Sequence, residues 1–205
     1  KTNKYLPAES FALILPLILN LILNPDKNYT PVNEQEETDK QTLLRWLEKD
    51  EDISIRDNLI GHLTASAWVV TPDRKKVLMA YHKLYDSWAW LGGHADGDWD
   101  LHRVAEKEAR EESGIKTLTS VSTEPISLEI LTVTGHEKKG KYVPCHLHLN
   151  MTYLFEAEES QNLSCKPDEN TGVAWLDMDA LDQLCNEPWF VERIYSKLSM
   201  KAKDL

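Results

Sequence analysis

The sequence predicts an α/β domain in which helices cover a sheet, preceded by a helical extension. Strand-like runs with turn residues between them occupy 64–82 and, later, 127–176. One amphipathic helix at 101–113 interrupts these runs, and two further helical stretches close the chain. Strands interleaved with a central helix are typical of a layered α/β domain.

Length, charge and cysteine content narrow the class of protein. The 205 residues suffice for one domain plus an extension, and we divide them into an extension at 1–57 and a domain at 58–205. The formal net charge is −11 and no basic patch appears, so general nucleic-acid binding is not expected. The three cysteines form neither a zinc pattern nor a disulfide framework, which favours a cytoplasmic location.

The extension contains an apolar run at 11–23. This run is too short to span a bilayer, and Pro16 and Asn20 interrupt it. No small-residue cleavage site follows it, which disfavours a signal peptide. Because apolar residues left in water aggregate, we expect this run to pack on the domain or on a second subunit of a homodimer, rather than on a membrane.

The elements of the chain follow from apolar periodicity and turn residues. A capping pattern at Asn33 and Glu36 predicts a surface helix over 34–49. The segment 53–63 is compatible with a short helix. Strands are predicted at 64–71, 77–82, 127–133, 141–156 and 173–176, and helices at 101–113, 179–184 and 188–197.

The helix at 101–113 carries glutamates on the side that a helix ordinarily buries. Its apolar stripe, placed at about 100° per residue, consists of Leu101, Val104, Ala105 and Ala109. Glu108 and Glu112 fall inside the stripe, and Glu111 falls at its edge. Carboxylates turned toward a core repel one another and are costly unless a cation pairs with them. The arrangement favours a hard divalent ion with oxygen ligands, Mg²⁺ or Mn²⁺.

Residues 92–115 read GGHADGDWDLHRVAEKEAREESGI and resemble the Nudix box, G-x5-E-x7-R-E-U-x-E-E-x-G-U, where U is aliphatic. The matching positions are Gly93, Glu108, Glu111, Glu112, Gly114 and Ile115. Trp99 stands where the family has Glu, Lys107 stands where it has Arg, and Ala109 is a small aliphatic residue. Lys107 keeps the charge but not the two-pronged guanidinium geometry. The resemblance implies a Nudix α/β/α sandwich with a mixed sheet.

The resemblance also implies an activity: metal-dependent hydrolysis of a diphosphate bond in a nucleoside diphosphate linked to another group, X, or in a related diphosphate. The implied ion is Mg²⁺ or Mn²⁺, held by Glu108, Glu111 and Glu112. Its substrate would be a small-molecule diphosphate. Gly92 and Gly93 have no side chain, so the backbone there can come close to the substrate.

The general base is not fixed by the box. Glu111 and Glu112 are two candidates. A third is Glu169, which lies six residues ahead of Trp175, as a glutamate does in some members of the family. A solvated acid in a turn is the alternative for Glu169, and Asp168 is its neighbouring competitor.

Three histidines are further candidates for substrate binding. His146 and His148 share the polar face of a strand with Asn150 and Thr152. They either bind phosphate or X, or belong to an ordinary wetted strand face; no third metal ligand is evident beside them. His94, in the box loop, either contacts substrate or stabilises the loop by a hydrogen bond.

Two other functions stay open. A non-catalytic, Nudix-like nucleotide-binding or regulatory module would be favoured if the metal glutamates were lost, and all three are present. An enzyme resembling isopentenyl diphosphate isomerase needs a cysteine and a glutamate facing each other. Cys145 is the only thiol near a candidate cleft strand.

Overall fold

The computed structural model describes residues 29–47, 52–138 and 140–205, so the apolar run at 11–23 lies outside the described residues. The helices in this part of the chain are α1 (Glu34–Leu47), α2 (Leu101–Ser113), α3 (Leu181–Leu184), α4 (Pro188–Phe190) and α5 (Ser196–Asp204). A 3-10 turn at Met178–Ala180 precedes α3, and a π-helical segment at Val191–Tyr195 joins α4 to α5. None of these helices is long and apolar enough to cross a membrane.

Ten strands accompany the helices in the described ranges. They are β1 (Gly61–Val70), β2 (Lys76–His82), β3 (Ser87–Ala89), β4 (Leu91–His94), β5 (Thr119–Ser120), β6 (Ser127–Val133), β7 (His136–Lys138), β8 (Lys141–Val143), β9 (His146–Glu156) and β10 (Asn170–Asp177). Eight of them form one sheet with the order β10-β2-β1-β9-β5, to which β3, β4 and β6 add by pairing with β2, β1 and β9. Strands β7 and β8 form a separate antiparallel hairpin. The predicted α/β class with a mixed sheet is confirmed.

Several element bounds differ from those predicted. The central helix and β6 begin and end where the sequence placed them. The segment 53–63 contains no helix; bends lead into β1, which begins at Gly61. The strand predicted at 141–156 is interrupted by Pro144, and β10 begins at Asn170, three residues earlier than expected.

The described chain divides into two compact units. The first unit takes its described residues from the part of the chain up to Thr64, from His94–Leu101 and from Ser127–Met151. The second unit consists of Ala65–Gly93, His102–Ile126 and Thr152–Leu205. Strands β1, β4 and β9 therefore each contribute residues to both units. The division predicted at residue 57 stays a prediction.

In the first unit, α1 packs against β6. The Asn33 side chain accepts a hydrogen bond from the Glu36 amide at 2.9 Å, which is the predicted N-terminal cap. Glu36 is itself fully buried, where its carboxylate accepts from Tyr29 and from Ser127. A buried carboxylate with several donors is tolerated because its lone pairs are satisfied.

In the second unit, β2 lies between β1 and β10, in antiparallel register with both. Trp68 is fully buried and stacks on Tyr195, with 5.5 Å between the ring centroids. The π-helical segment that carries Tyr195 thus anchors the C-terminal helices to the sheet core. Aromatic pairs of this kind stabilise a core beyond the apolar area that they bury.

Candidate metal and catalytic site

Helix α2 turns its glutamates to different depths. The apolar stripe predicted for this helix is buried throughout. The side chain of Glu108 is 12% exposed and that of Glu111 is 46% exposed, whereas the Glu112 residue is 5% exposed. The helix stops after Ser113 because Gly114 adopts φ +72°, a left-handed conformation that glycine enters without strain. The helical period therefore places Glu108 and Glu112 on the core side and Glu111 at its rim.

Two glycines in β4 let this strand approach the carboxylates closely. A Cβ atom on Gly93 would lie 2.6 Å from the carboxyl carbon of Glu108. A Cβ atom on Gly92 would lie 2.7 Å from the Ala65 carbonyl oxygen of the neighbouring strand. A side chain at position 92 would therefore meet backbone, whereas a side chain at position 93 would displace the carboxyl end of Glu108.

Glu112 is held by donors that carry no charge. The Gly92 amide donates to its Oε2 at 2.9 Å, and the side-chain amide of Asn170 donates to its Oε1 at 3.2 Å. Burial raises the pKa of Glu112 from 4.5 to about 7, although both hydrogen bonds act to lower it. The charges of Glu108 and Glu169 add to the rise in pKa. A cation beside Glu112 would relieve the burial and the repulsion together.

Unlike Glu112, Glu108 and Glu111 lie close to a positive charge, which Lys107 provides. Its Nζ lies 3.1 Å from Glu108 Oε1 and 3.7 Å from Glu111 Oε1. The hydrogen bond with Glu108 raises the pKa of Lys107. Lys107 thus pairs with acids of its own helix.

The turn before β10 brings Glu169 and Asn170 to this group. The amides of both residues bond to the Lys166 carbonyl, at 3.2 and 2.9 Å. Glu169 pairs with the Lys166 ammonium at 3.1 Å, while Asp168 is exposed. Asn170 is 1% exposed, and its Oδ1 has no hydrogen-bond partner among the described residues. The sequence did not single out Asn170, because nothing local marks an asparagine at a strand start as a partner of a helix glutamate.

The three candidate histidines lie together in the first unit, with a fourth beside them. His62 in β1, His94 at the end of β4, and His146 and His148 in β9 place one ring nitrogen each within 4.8 Å of all the others. Sequence reasoning found no third ligand for the pair in β9, and the structure adds two. His62 was missed because its neighbours come from distant parts of the chain.

The environment of His62, His94 and His148 favours neutral imidazoles. Burial, followed by the charge of Arg56, lowers the pKa of His94 to about 2. Burial, followed by the charge of His94, lowers the pKa of His148 to about 2. Burial also lowers the pKa of His62, against a hydrogen bond to the Asn58 carbonyl that raises it. Neutral imidazoles keep a lone pair for a ligand.

The polar face of β9 is not a wetted surface beyond the histidines. Asn150 is 1% exposed and Thr152 is fully buried. Asn150 accepts a hydrogen bond from Thr64 at 3.0 Å and donates one to Glu129 at 3.2 Å. This part of the face is therefore a buried polar core in which Asn150 is hydrogen-bonded to Thr64 and Glu129.

The comparisons with known proteins agree with this fold. The NUDIX domain family matches residues 61–198 of the chain. A Nudix hydrolase from M. smegmatis superposes with a TM-score of 0.50 at 17% identity, over 70% of this chain and 87% of that one. The E. coli dihydroneopterin triphosphate pyrophosphohydrolase gives a TM-score of 0.50 at 17% identity, over 68% and 96% of the two chains. No curated protein sequence matches. The family match spans more than half of the chain and contains the glycines and glutamates of β4 and α2, and the protein belongs to the NUDIX domain family.

Proposed function

We propose that the protein is a divalent-metal-dependent diphosphohydrolase that cleaves a diphosphate bond in a nucleoside diphosphate linked to another group. The observation that supports this most is Glu112, a buried carboxylate whose two hydrogen-bond partners are neutral. An ionised carboxylate in that position favours a cation.

The residues present fit a hard divalent ion, and Glu108, Glu111 and Glu112 would hold it as Mg²⁺ or Mn²⁺. The buried, unpartnered Oδ1 of Asn170 supplies one more oxygen of the kind that such ions accept. Bound there, the ion would supply positive charge to neutralise phosphoryl oxygens and activate water. Lys107, which pairs with Glu108 and Glu111, would yield these two carboxylates to the ion.

The remaining chemistry falls to the chain itself. The glycines at 92 and 93 let β4 pack closely beside the carboxylates that would hold the ion. Glu169 is the candidate proton acceptor, with Glu111 and Glu112 as competitors. Its charge already acts on Glu112, and the Lys166 ammonium holds its carboxylate in position at 3.1 Å.

The deciding experiment is a panel of diphosphate substrates assayed with Mg²⁺ and with Mn²⁺. The panel includes nucleoside diphosphate sugars, dinucleoside polyphosphates and dihydroneopterin triphosphate, on which the E. coli structural neighbour acts. Glu112→Gln keeps the shape of the side chain and removes its charge, so it should lower kcat at least about 100-fold while the fold survives. Glu106→Gln is the matched control, because Glu106 pairs with Arg110 on the outer face of the same helix.

The assignment of the proton acceptor has its own test. At saturating metal, Glu169→Gln should lose most of kcat and the acidic limb of the pH–rate profile. Asp168→Asn, the exposed neighbour, should keep both. A parent-like profile for Glu169→Gln would return the role to a helix glutamate.

The alternatives have less support. A non-catalytic binding module would bind a nucleotide without turning over any member of the panel, yet all three helix glutamates are in place. The isomerase alternative needs Cys145 to face a glutamate. Cys145 is instead exposed, and its sulfur accepts a hydrogen bond from the Gly135 amide at 3.0 Å. The cytoplasmic location and the homodimer stay predictions.

A further inference from the structure

Four imidazoles converge in the first unit, on residues that the Nudix box does not assign to a metal. His62, His94, His146 and His148 come from β1, β4 and β9. The ring centroids of His62 lie 4.9 Å from His146 and 5.1 Å from His94, and those of His94 and His148 lie 4.8 Å apart. Stacked rings need not bring their nitrogens together. Here, however, one nitrogen of each ring lies within 4.8 Å of one nitrogen of every other ring.

Backbone carbonyls fix the orientation of two of the rings. His62 Nδ1 lies 3.1 Å from the Asn58 carbonyl oxygen, and His146 Nδ1 lies 2.8 Å from the Pro144 carbonyl oxygen. A carbonyl oxygen only accepts, so each Nδ1 carries a proton, and in the neutral form of either ring Nε2 carries a lone pair. Metal-bound histidines are ordinarily anchored in this way, by donation from the other ring nitrogen to a carbonyl or a carboxylate.

The Nε2 atoms of these two rings have different surroundings. His62 is 4% exposed, and its Nε2 is buried without a hydrogen-bond partner in the described part of the chain. His146 Nε2 lies 3.3 Å from His148 Nε2. A hydrogen bond between His146 and His148 would account for one of these nitrogens, but it leaves the buried acceptor of His62 unsatisfied. A cation bound by all four rings would accept the lone pair of each of these nitrogens.

The distances suit a small tetrahedral ion. Zn–N bonds of about 2.0–2.1 Å place two ligand nitrogens roughly 3.3 Å apart, which is the separation of His146 Nε2 and His148 Nε2. The other nitrogens lie up to 4.8 Å apart, and their separations would have to shorten by up to about 1.5 Å on binding the ion. His94 and His148 are only half-buried, so these two side chains have room to do so.

The competing ligand, a phosphate group, fits this cluster less well. Phosphate needs N–H donors pointing at it, and the Nδ1 protons of His62 and His146 are already used by backbone carbonyls. The nearby positive charge of Arg56 does not exclude a cation, since Arg56 binds the Asp96 carboxylate through two hydrogen bonds, one of them 2.6 Å long.

We propose that His62, His94, His146 and His148 form a transition-metal site, occupied by Zn²⁺, that is separate from the carboxylate site of α2. Imidazole nitrogens select Zn²⁺, Co²⁺, Ni²⁺ or Cu²⁺ over Mg²⁺, which prefers oxygen. Four protein ligands complete a tetrahedral shell, so the ion stabilises the fold and leaves no open position for substrate. The ion links the start of β1, the end of β4 and the start of β9 within the first unit.

The test uses the full chain, stripped by a chelator and kept in excess Mg²⁺ so that the carboxylate site is filled. Titration with Co²⁺ should give the visible absorption of a tetrahedral complex, which saturates at about one ion per chain. Adding Zn²⁺ should then abolish this absorption, because Zn²⁺ displaces the Co²⁺ ion. Zn²⁺ should also raise the melting temperature, since an ion that binds only the folded chain stabilises it.

The variants His62→Gln and His148→Gln should each weaken Zn²⁺ binding at least about 100-fold, more than the loss of an outer-shell partner causes. Zn²⁺ should no longer raise their melting temperatures. His136→Gln, in the same unit but outside the cluster, is the matched control and should bind Zn²⁺ like the parent. Glu112→Gln should also retain Zn²⁺, which separates this proposal from that of the catalytic metal.

Parent-like Zn²⁺ affinity in a folded His148→Gln variant overturns the proposal, and so does Co²⁺ absorption without tetrahedral bands. Because His148 is half-buried, its variant decides the question even if His62→Gln fails to fold. A raised KM for a diphosphate substrate in His148→Gln, with Zn²⁺ affinity unchanged, would return the histidines to substrate binding.

Discussion

Glu112 couples the candidate metal site to pH. Without a metal ion, burial keeps its pKa at about 7 in the folded chain, above the value of 4.5 for an ordinary glutamate. Between these two values the folded chain holds a proton that the unfolded chain has released. Linkage then requires that the free energy of unfolding falls as the pH rises through this window.

This sign gives a prediction for the metal-free protein. Urea unfolding in a chelator should show that the stability of the parent relative to Glu112→Gln declines from about pH 4.5 to about pH 7 and is level above that, since glutamine does not titrate. Comparing the two proteins cancels the contribution of the histidines, which has the opposite sign. A difference that is flat across the window would contradict the raised pKa.

At the scale of elements, β4 and α2 make the site together, through two glycines with different roles. Gly92→Ala would drive a methyl group against the Ala65 carbonyl of β1, and backbone cannot move aside as a side chain can. We expect a loss of stability of about 1–3 kcal/mol, as for overpacked cores, measured by urea unfolding.

Gly93→Ala meets the carboxyl end of Glu108 instead. This flexible end can swing away, so the fold should be largely kept while Mn²⁺ affinity, measured by titration calorimetry, falls at least about tenfold. A larger loss of stability in Gly93→Ala than in Gly92→Ala would reverse the roles assigned to the two glycines.

The elements also show which signals in the sequence are sufficient. Helix α2 was predicted to its ends because its stripe and its glycine stop are local, and the same period found Glu108, Glu111 and Glu112. Asn170 was missed because it joins β10 through pairing with His82, far away along the chain.

His62 was missed for a related reason. It lies in a stretch where a short helix was expected, and a single histidine there carries no local pattern. Its role emerges only when β1, β4 and β9 lie side by side. Periodicity reports which side of an element is buried, but it does not report which elements meet.

For the molecule as a whole, the sequence predicts that the apolar run at 11–23 packs against protein, because apolar residues exposed to water aggregate. Removal of residues 1–24 should therefore lower the melting temperature or change the oligomeric state, followed by calorimetry and light scattering. If neither changes while binding to liposomes is lost, the run has a membrane role instead.

The two compact units are interleaved along the chain, which passes from one to the other after residues 64, 93, 101, 126 and 151. Neither unit is a continuous stretch of sequence, and strands β1, β4 and β9 are divided between them. A single genetic exchange replaces one contiguous stretch, so an exchange that transfers the whole of one unit also transfers segments of the other. The four histidines span residues 62–148 and helix α2 lies within this range, so an exchange that transfers the whole histidine cluster also transfers the carboxylates of α2.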